Sequence, residues 1–155
     1  MEKDMLVKSA SEISKVSESS LKEYVDKMEV LAAKMNKVML ARADILELIG
    51  GEKNITMMKD NHNNHLRFIA SILQTPDSET LVDSLFWVFR AYMSRGFIVD
   101  YWKVQLNVWV QILKENISKE AFSEIISIYT WMVLNISSFA TAAEDDKFEK
   151  LKHID

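Results

Sequence analysis

From about Asp4 to Ile49, apolar residues recur at alternating three- and four-residue steps with no glycine or proline among them, until Gly50-Gly51 stops the run. Leu21, Tyr24, Met28, Leu31, Met35, Val38, Ile45 and Ile49 carry the seam, and Arg42 is its one polar position. That spacing keeps one stripe on one side of an α-helix and predicts a long N-terminal heptad helix. Val25, Ala32, Met39 and Leu46 lie beside the seam and widen it into a face suited to a bundle. Before Leu21 the pattern weakens into Ser9, Ser11, Ser14, Ser17, Ser19 and Ser20, with Leu6, Ile13 and Val16 out of register. Residues 1–20 therefore read as a projecting helical arm, separate or frayed.

A second helix is predicted from Ile55 to Gln74, ending before Thr75-Pro76 because proline disfavours helical geometry in the residue before it. Asp77 or Ser78 is placed to cap a third helix, about Glu79 to Ser94, with Gly96 as its stop. Asp100 is expected to cap a fourth helix reaching Asn116, and Ser118 a fifth reaching Ala142. The short connections make these helices packed, mostly antiparallel neighbours. Residues 21–143 thus form the bundle domain, and residues 144–155 a charged tail in which only Phe148, Leu151 and Ile154 keep apolar spacing. The expected fold is all-α, with about five main helices.

Composition narrows the chemistry more than it changes this fold. The chain has no cysteine, which removes disulfides, thiolate catalysis and cysteine-ligated metal centres. A net charge of −4 with both signs interspersed offers no basic face for a phosphate backbone, so no nucleic-acid partner is expected. No apolar run reaches the ~20 residues that cross a bilayer, and Met1-Glu2-Lys3-Asp4 does not open a signal peptide. A cytoplasmic location with no membrane partner is the resulting expectation.

The candidate chemistry lies in Asp60-Asn61-His62-Asn63-Asn64-His65. At helical spacing, Asn61, His62 and His65 fall on the apolar side of the second helix with Ile55, Met58, Leu66, Ile69, Ile72 and Leu73. Lys59, Asn63, Asn64 and Arg67 fall on the other side. On the fourth helix, Gln105 shares its inward side with Tyr101, Val108, Trp109 and Ile112. One reading makes Asn61, His62, His65, Gln105 and Trp109 a pocket for a metal, a haem or a polar ligand. The other makes them core groups satisfied by one another, as buried polar groups must be. The Glu-x-x-His pairs of a di-iron bundle and the His-Glu-x-x-His of a zinc protease are both missing. No nucleophile pairs with a base by position, so a non-enzymatic domain is expected. Trp131 and Leu134 stand among polar positions of the fifth helix, which marks a contact with another chain or with the N-terminal segment folded back.

From Ile55 to about Ala140, helix order and length resemble the last four helices of globin-like sensory domains of bacterial signalling proteins. The preceding heptad stretch resembles their dimerising element. That resemblance would put His62 or His65 on the distal side of the pocket. The third helix has no histidine at the proximal position, which favours the non-haem members. The segment His65-Leu66-Arg67-Phe68-Ile69, with Trp87 and Arg95-Gly96, is also similar to the helical cap preceding cobalamin-binding domains. These residues include no corrinoid-binding α/β domain, so that similarity implies no cofactor. The combined expectation is a regulatory or sensory domain without a cofactor. It would homodimerise through Leu21, Tyr24, Met28, Leu31, Met35, Val38, Trp131 and Leu134 and act on a signalling partner. The alternative is a haem- or metal-binding protein using His62 and His65.

Overall fold

The computed structural model describes the backbone of residues 2–152 and the side chains of residues 2–145. Among the described residues the chain is helical, with no strand. In order come α1 (Glu2–Ala10), α2 (Glu18–Asp26), α3 (Met28–Leu40), α4 (Ile45–Ile49) and a 3-10 turn, Glu52–Asn54. They are followed by α5 (Ile55–Gln74), α6 (Ser78–Met93), α7 (Val99–Asn116), α8 (Lys119–Leu134) and α9 (Ile136–Lys152). Of the expected charged tail, Phe148, Leu151 and Ile154 lie outside the described side chains.

The single heptad helix expected from Leu21 to Ile49 is divided into α2, α3 and α4, and α1 lies in the segment expected to be a separate arm. Serine hydroxyls make the first break by competing for backbone groups. Ser9 and Ser11 donate back to the carbonyls of Leu6 and Lys8, and Ser17 Oγ caps α2 by accepting from the Ser20 amide. Lys27 interrupts the helix for one residue between α2 and α3. After α3, Arg42 turns back on Asp44 with two parallel hydrogen bonds of 2.9 and 3.0 Å, and α4 begins.

The seam survives these breaks but packs inward. Tyr24, Leu31 and Met35 are fully buried in their own chain, because α2 and α3 lie on α5, α7 and α8. So wide an apolar face finds its partners in other helices of the same chain, including ones distant in sequence. Leu21 and Met28 are half-buried against that core, and Val38 is exposed. At Tyr24, Leu31 and Met35 the expected dimer seam is therefore an internal packing surface.

Residues 1–20 do not project. Leu6 and Ala10 are buried, and α1 packs along α6. The linker that follows is tied to α8: the Ser17 amide donates to Glu124 Oε1 at 2.7 Å and the Ser20 hydroxyl to Oε2 at 2.5 Å. Trp131 is covered by this folded-back segment, its indole N–H donating to Ser9 Oγ at 2.9 Å. Its companion Leu134 remains 75% exposed.

The later helices begin and end close to their expected places. Asp77 Oδ1 accepts from the Thr80 amide and caps α6, and Ser118 caps α8. Asp100 differs from its expected role, lying in the first turn of α7 while Ile98 precedes the helix without a side-chain cap. The fifth helix also divides at Asn135 into α8 and α9, which meet at a bend of 44°. No single helix among the described residues is long and apolar enough to cross a membrane.

Two groups of helices result. On one side α3 packs on α5 and α7, and α2 on α5 and α8. On the other, α6 packs chiefly on α1 and α9. The α6 backbone has no extended contact with α5 or α7. Aromatic side chains span the gap, with Phe89 stacked on Trp102 at 4.4 Å and Tyr92 edge-on to Trp102 at 5.8 Å.

Candidate functional site

The gap between the two groups is a cavity of about 450 Å³. Its walls are mainly apolar: Phe89 and Val88 from α6, Trp102 and Leu106 from α7, Met132 from α8 and Phe139 from α9. Polar groups enter from α5 and α7, where Asn61, Asn64, His65 and Gln105 line it. Asp83, Ser84 and Trp87 contribute on the α6 side, and the Trp87 indole is 64% exposed. A mostly apolar hollow with a few convergent polar groups is the usual form of a small-molecule site.

Asn61 and Gln105 are both buried. Asn61 Oδ1 accepts from the Tyr101 hydroxyl at 2.8 Å and from Gln105 Nε2 at 3.0 Å. The helical spacing that put these residues inward thus brings α5 and α7 together through paired amides. Burial raises the pKa of Tyr101 and Tyr92, so both phenols stay protonated as donors. Hydrogen bonding with Asn61 and Asn64 acts in the opposite direction on Tyr92.

The two histidines have different surroundings. His65 lines the cavity, stacks on Trp109 at 5.0 Å and 15°, and holds the Tyr129 hydroxyl 2.8 Å from Nε2. His62 lies behind it, fully buried and outside the cavity wall. Its Nδ1 is 2.6 Å from Asn36 Oδ1, and its ring meets Trp109 edge-on at 5.9 Å. Its Nε2 has no hydrogen-bond partner among the described residues. Burial lowers both imidazoles to a pKa of about 3, and for His65 the neighbouring His62 adds to that effect. Both are neutral rings at physiological pH.

Of the five pocket residues expected from sequence, Asn61, His65 and Gln105 line the cavity, while His62 and Trp109 stand outside its wall. Trp109 is instead fully buried packing between the two imidazole rings. Asn64, expected on the outer side of α5, reaches the cavity and accepts from Arg67 at 2.6 Å. Asn36, Tyr24 and Tyr129 are also part of the polar network, and although spacing marks Tyr24 as a seam position, none of the three is marked by spacing as a partner of the histidines. They enter because α2, α3 and α8 pack across α5 and α7.

Among the described residues, no group of three or more histidine, cysteine, aspartate or glutamate side chains is placed to hold a metal ion. His65 Nε2, one of the two ring nitrogens that can ligate a metal, is engaged by Tyr129. The same bond occupies that nitrogen with respect to Ser84, whose hydroxyl is one of two side-chain hydroxyls in the wall with that of Tyr92. The arrangement is suited to holding a molecule by shape and hydrogen bonds. No protein-family model, curated protein or solved structure matches this chain.

Proposed function

We propose that this chain is a non-enzymatic regulatory or sensory domain whose cavity takes a small, largely apolar molecule, and that occupancy changes the face offered to a protein partner. The observation that carries the reading is the cavity between α6 and the α5–α7 pair, apolar in its walls and supplied with polar groups by Asn61, His65 and Gln105. Because the α6 backbone stands off these helices, a ligand that fills the gap stabilises one α6 position over others. That difference in affinity is what shifts a conformational equilibrium.

Trp87 connects the two halves of the proposal, since its exposed indole sits in the cavity lining on α6. Trp87 and, at the end of α8, Leu134 are each large exposed apolar side chains that a partner chain, either a second copy or a signalling protein, could cover. Tyr24, Leu31 and Met35 of the N-terminal seam are taken up by the core of their own chain and are not available to that contact. The order of α5 to α8 is compatible with a globin-like origin. A haem or metal held by His62 and His65 is disfavoured, since one imidazole lies outside the cavity and the other is bonded to Tyr129.

The test uses Nile red, an uncharged dye that brightens in apolar surroundings. We expect saturable binding to the full chain and its loss in Val88→Trp, where the new indole fills the cavity, with the thermal transition retained. Binding of equal strength in Val88→Trp would place the dye elsewhere and remove the basis of the proposal.

A further inference from the structure

We infer that the cavity selects an uncharged molecule carrying one hydrogen-bonding group with both donor and acceptor, of the carboxamide or lactam type, on an otherwise apolar body. This rests on the reading of the cavity as a small-molecule site and specifies its ligand class.

Asn61 Oδ1 has two lone pairs, and both are taken by the Tyr101 hydroxyl and Gln105 Nε2. One N–H of the Asn61 amide is engaged by the Tyr92 oxygen, and what Asn61 keeps for a ligand is the other. Gln105 has donated toward Asn61, and its carbonyl oxygen Oε1 is the acceptor it can still present. The two residues line one cavity from α5 and α7, and the pairing above leaves them one donor and one acceptor to offer a ligand. A carboxamide presents the complementary pair, its C=O to Asn61 and its N–H to Gln105. A purely apolar guest would cover both groups without giving them partners, which weakens its binding.

Charge narrows the class further. No lysine or arginine lines the cavity, and Asp83 is the one acidic residue there. Asp83 is already paired with Lys3 at 2.8 Å. A carboxylate ligand would lose its hydration without gaining a counterion and would meet the Gln105 carbonyl oxygen. An ammonium would meet the remaining Asn61 N–H donor.

The experiment is equilibrium dialysis of the full chain against naphthalene, 2-naphthamide, 2-naphthoate and 2-naphthylmethylammonium, a series with one body and four ends. The amide should bind about tenfold tighter than naphthalene, with both ions weaker than the amide by at least as much. In Gln105→Leu, which is near in volume, the amide should fall to the affinity of naphthalene while naphthalene itself is little changed. If naphthalene equals the amide in the wild-type chain, or either ion binds best, the ligand class is wrong but the apolar site stands. If no member binds, the small-molecule reading fails with it. The wild-type series decides the matter even if Gln105→Leu does not fold.

Discussion

The Nε2 atom of His65 lies 2.8 Å from the Tyr129 hydroxyl, across the interface of α5 and α8. The same hydroxyl is 2.9 Å from that of Tyr24 in α2. One phenol thus joins the imidazole in the cavity wall to the N-terminal helices. Burial pushes the pKa of both tyrosines upward, so the relay is made of neutral groups.

Removing the middle of this relay should cost more than removing its end. Tyr129→Phe leaves both His65 Nε2 and the Tyr24 hydroxyl without their partner, and should destabilise the fold by about 1–3 kcal/mol in urea denaturation. Tyr24→Phe keeps the His65–Tyr129 bond and should cost about 1 kcal/mol. Equal costs would mean that His65 finds another partner when Tyr129 loses its hydroxyl.

Neutral buried histidines make stability depend on pH. In the unfolded chain each imidazole takes up a proton as pH falls through about 6.5, whereas in the fold His62 and His65 stay neutral to about pH 3. Their contribution is therefore full above the unfolded pKa, falls away below it and levels off near the folded one. For fully buried His62 the loss between about pH 7.5 and 5 is about 2 kcal/mol, with a smaller loss for half-buried His65. Denaturation midpoints at the two pH values should show this slope. His62→Asn with His65→Gln, which retain amide donors, should flatten it. The depressed carboxylates Glu23, Asp44, Asp77 and Glu124 act lower, as pH falls below about 4.5.

Gly50 ends α4 in the left-handed region, with φ of 82°. A Cβ there would lie 2.6 Å from the carbonyl oxygen of Gly96, in the turn between α6 and α7. Gly50→Ala therefore combines backbone strain with a collision between two backbones, and should cost about 2–4 kcal/mol. Gly51 also has a positive φ but open space around it, so Gly51→Ala should cost about 1 kcal/mol from strain alone. Thermal melts of the pair would separate the two effects, and equal shifts would contradict the close approach.

Glu124 fastens the linker between α1 and α2 by accepting from the Ser17 amide and from the hydroxyls of Ser17 and Ser20. In Glu124→Ala, hydrogen exchange should quicken over residues 11–20 while α8 keeps its protection. Unchanged exchange of the Ser17 amide would show that burial of Leu6 and Ala10, with the Ser9–Trp131 and Ser14–Ser127 bonds, holds the segment without Glu124.

Local spacing determined the all-helical class, the extents of α5, α6 and α7 to within a residue or two, and the inward placing of Asn61, His62, His65 and Gln105. Helical periodicity and capping are properties of neighbours in the chain, so they can be read without knowing what packs where. The same periodicity showed an apolar seam through Tyr24, Leu31 and Met35 but not its partner. Only the tertiary structure decided that the seam lies in its own core, because any apolar face complements a face of either the same chain or another. The tertiary structure also put His62 outside the cavity and His65 in its wall. Residues three apart share a side of the helix, but the cavity is made by the distance between α6 and the α5–α7 pair, and no local pattern encodes that distance.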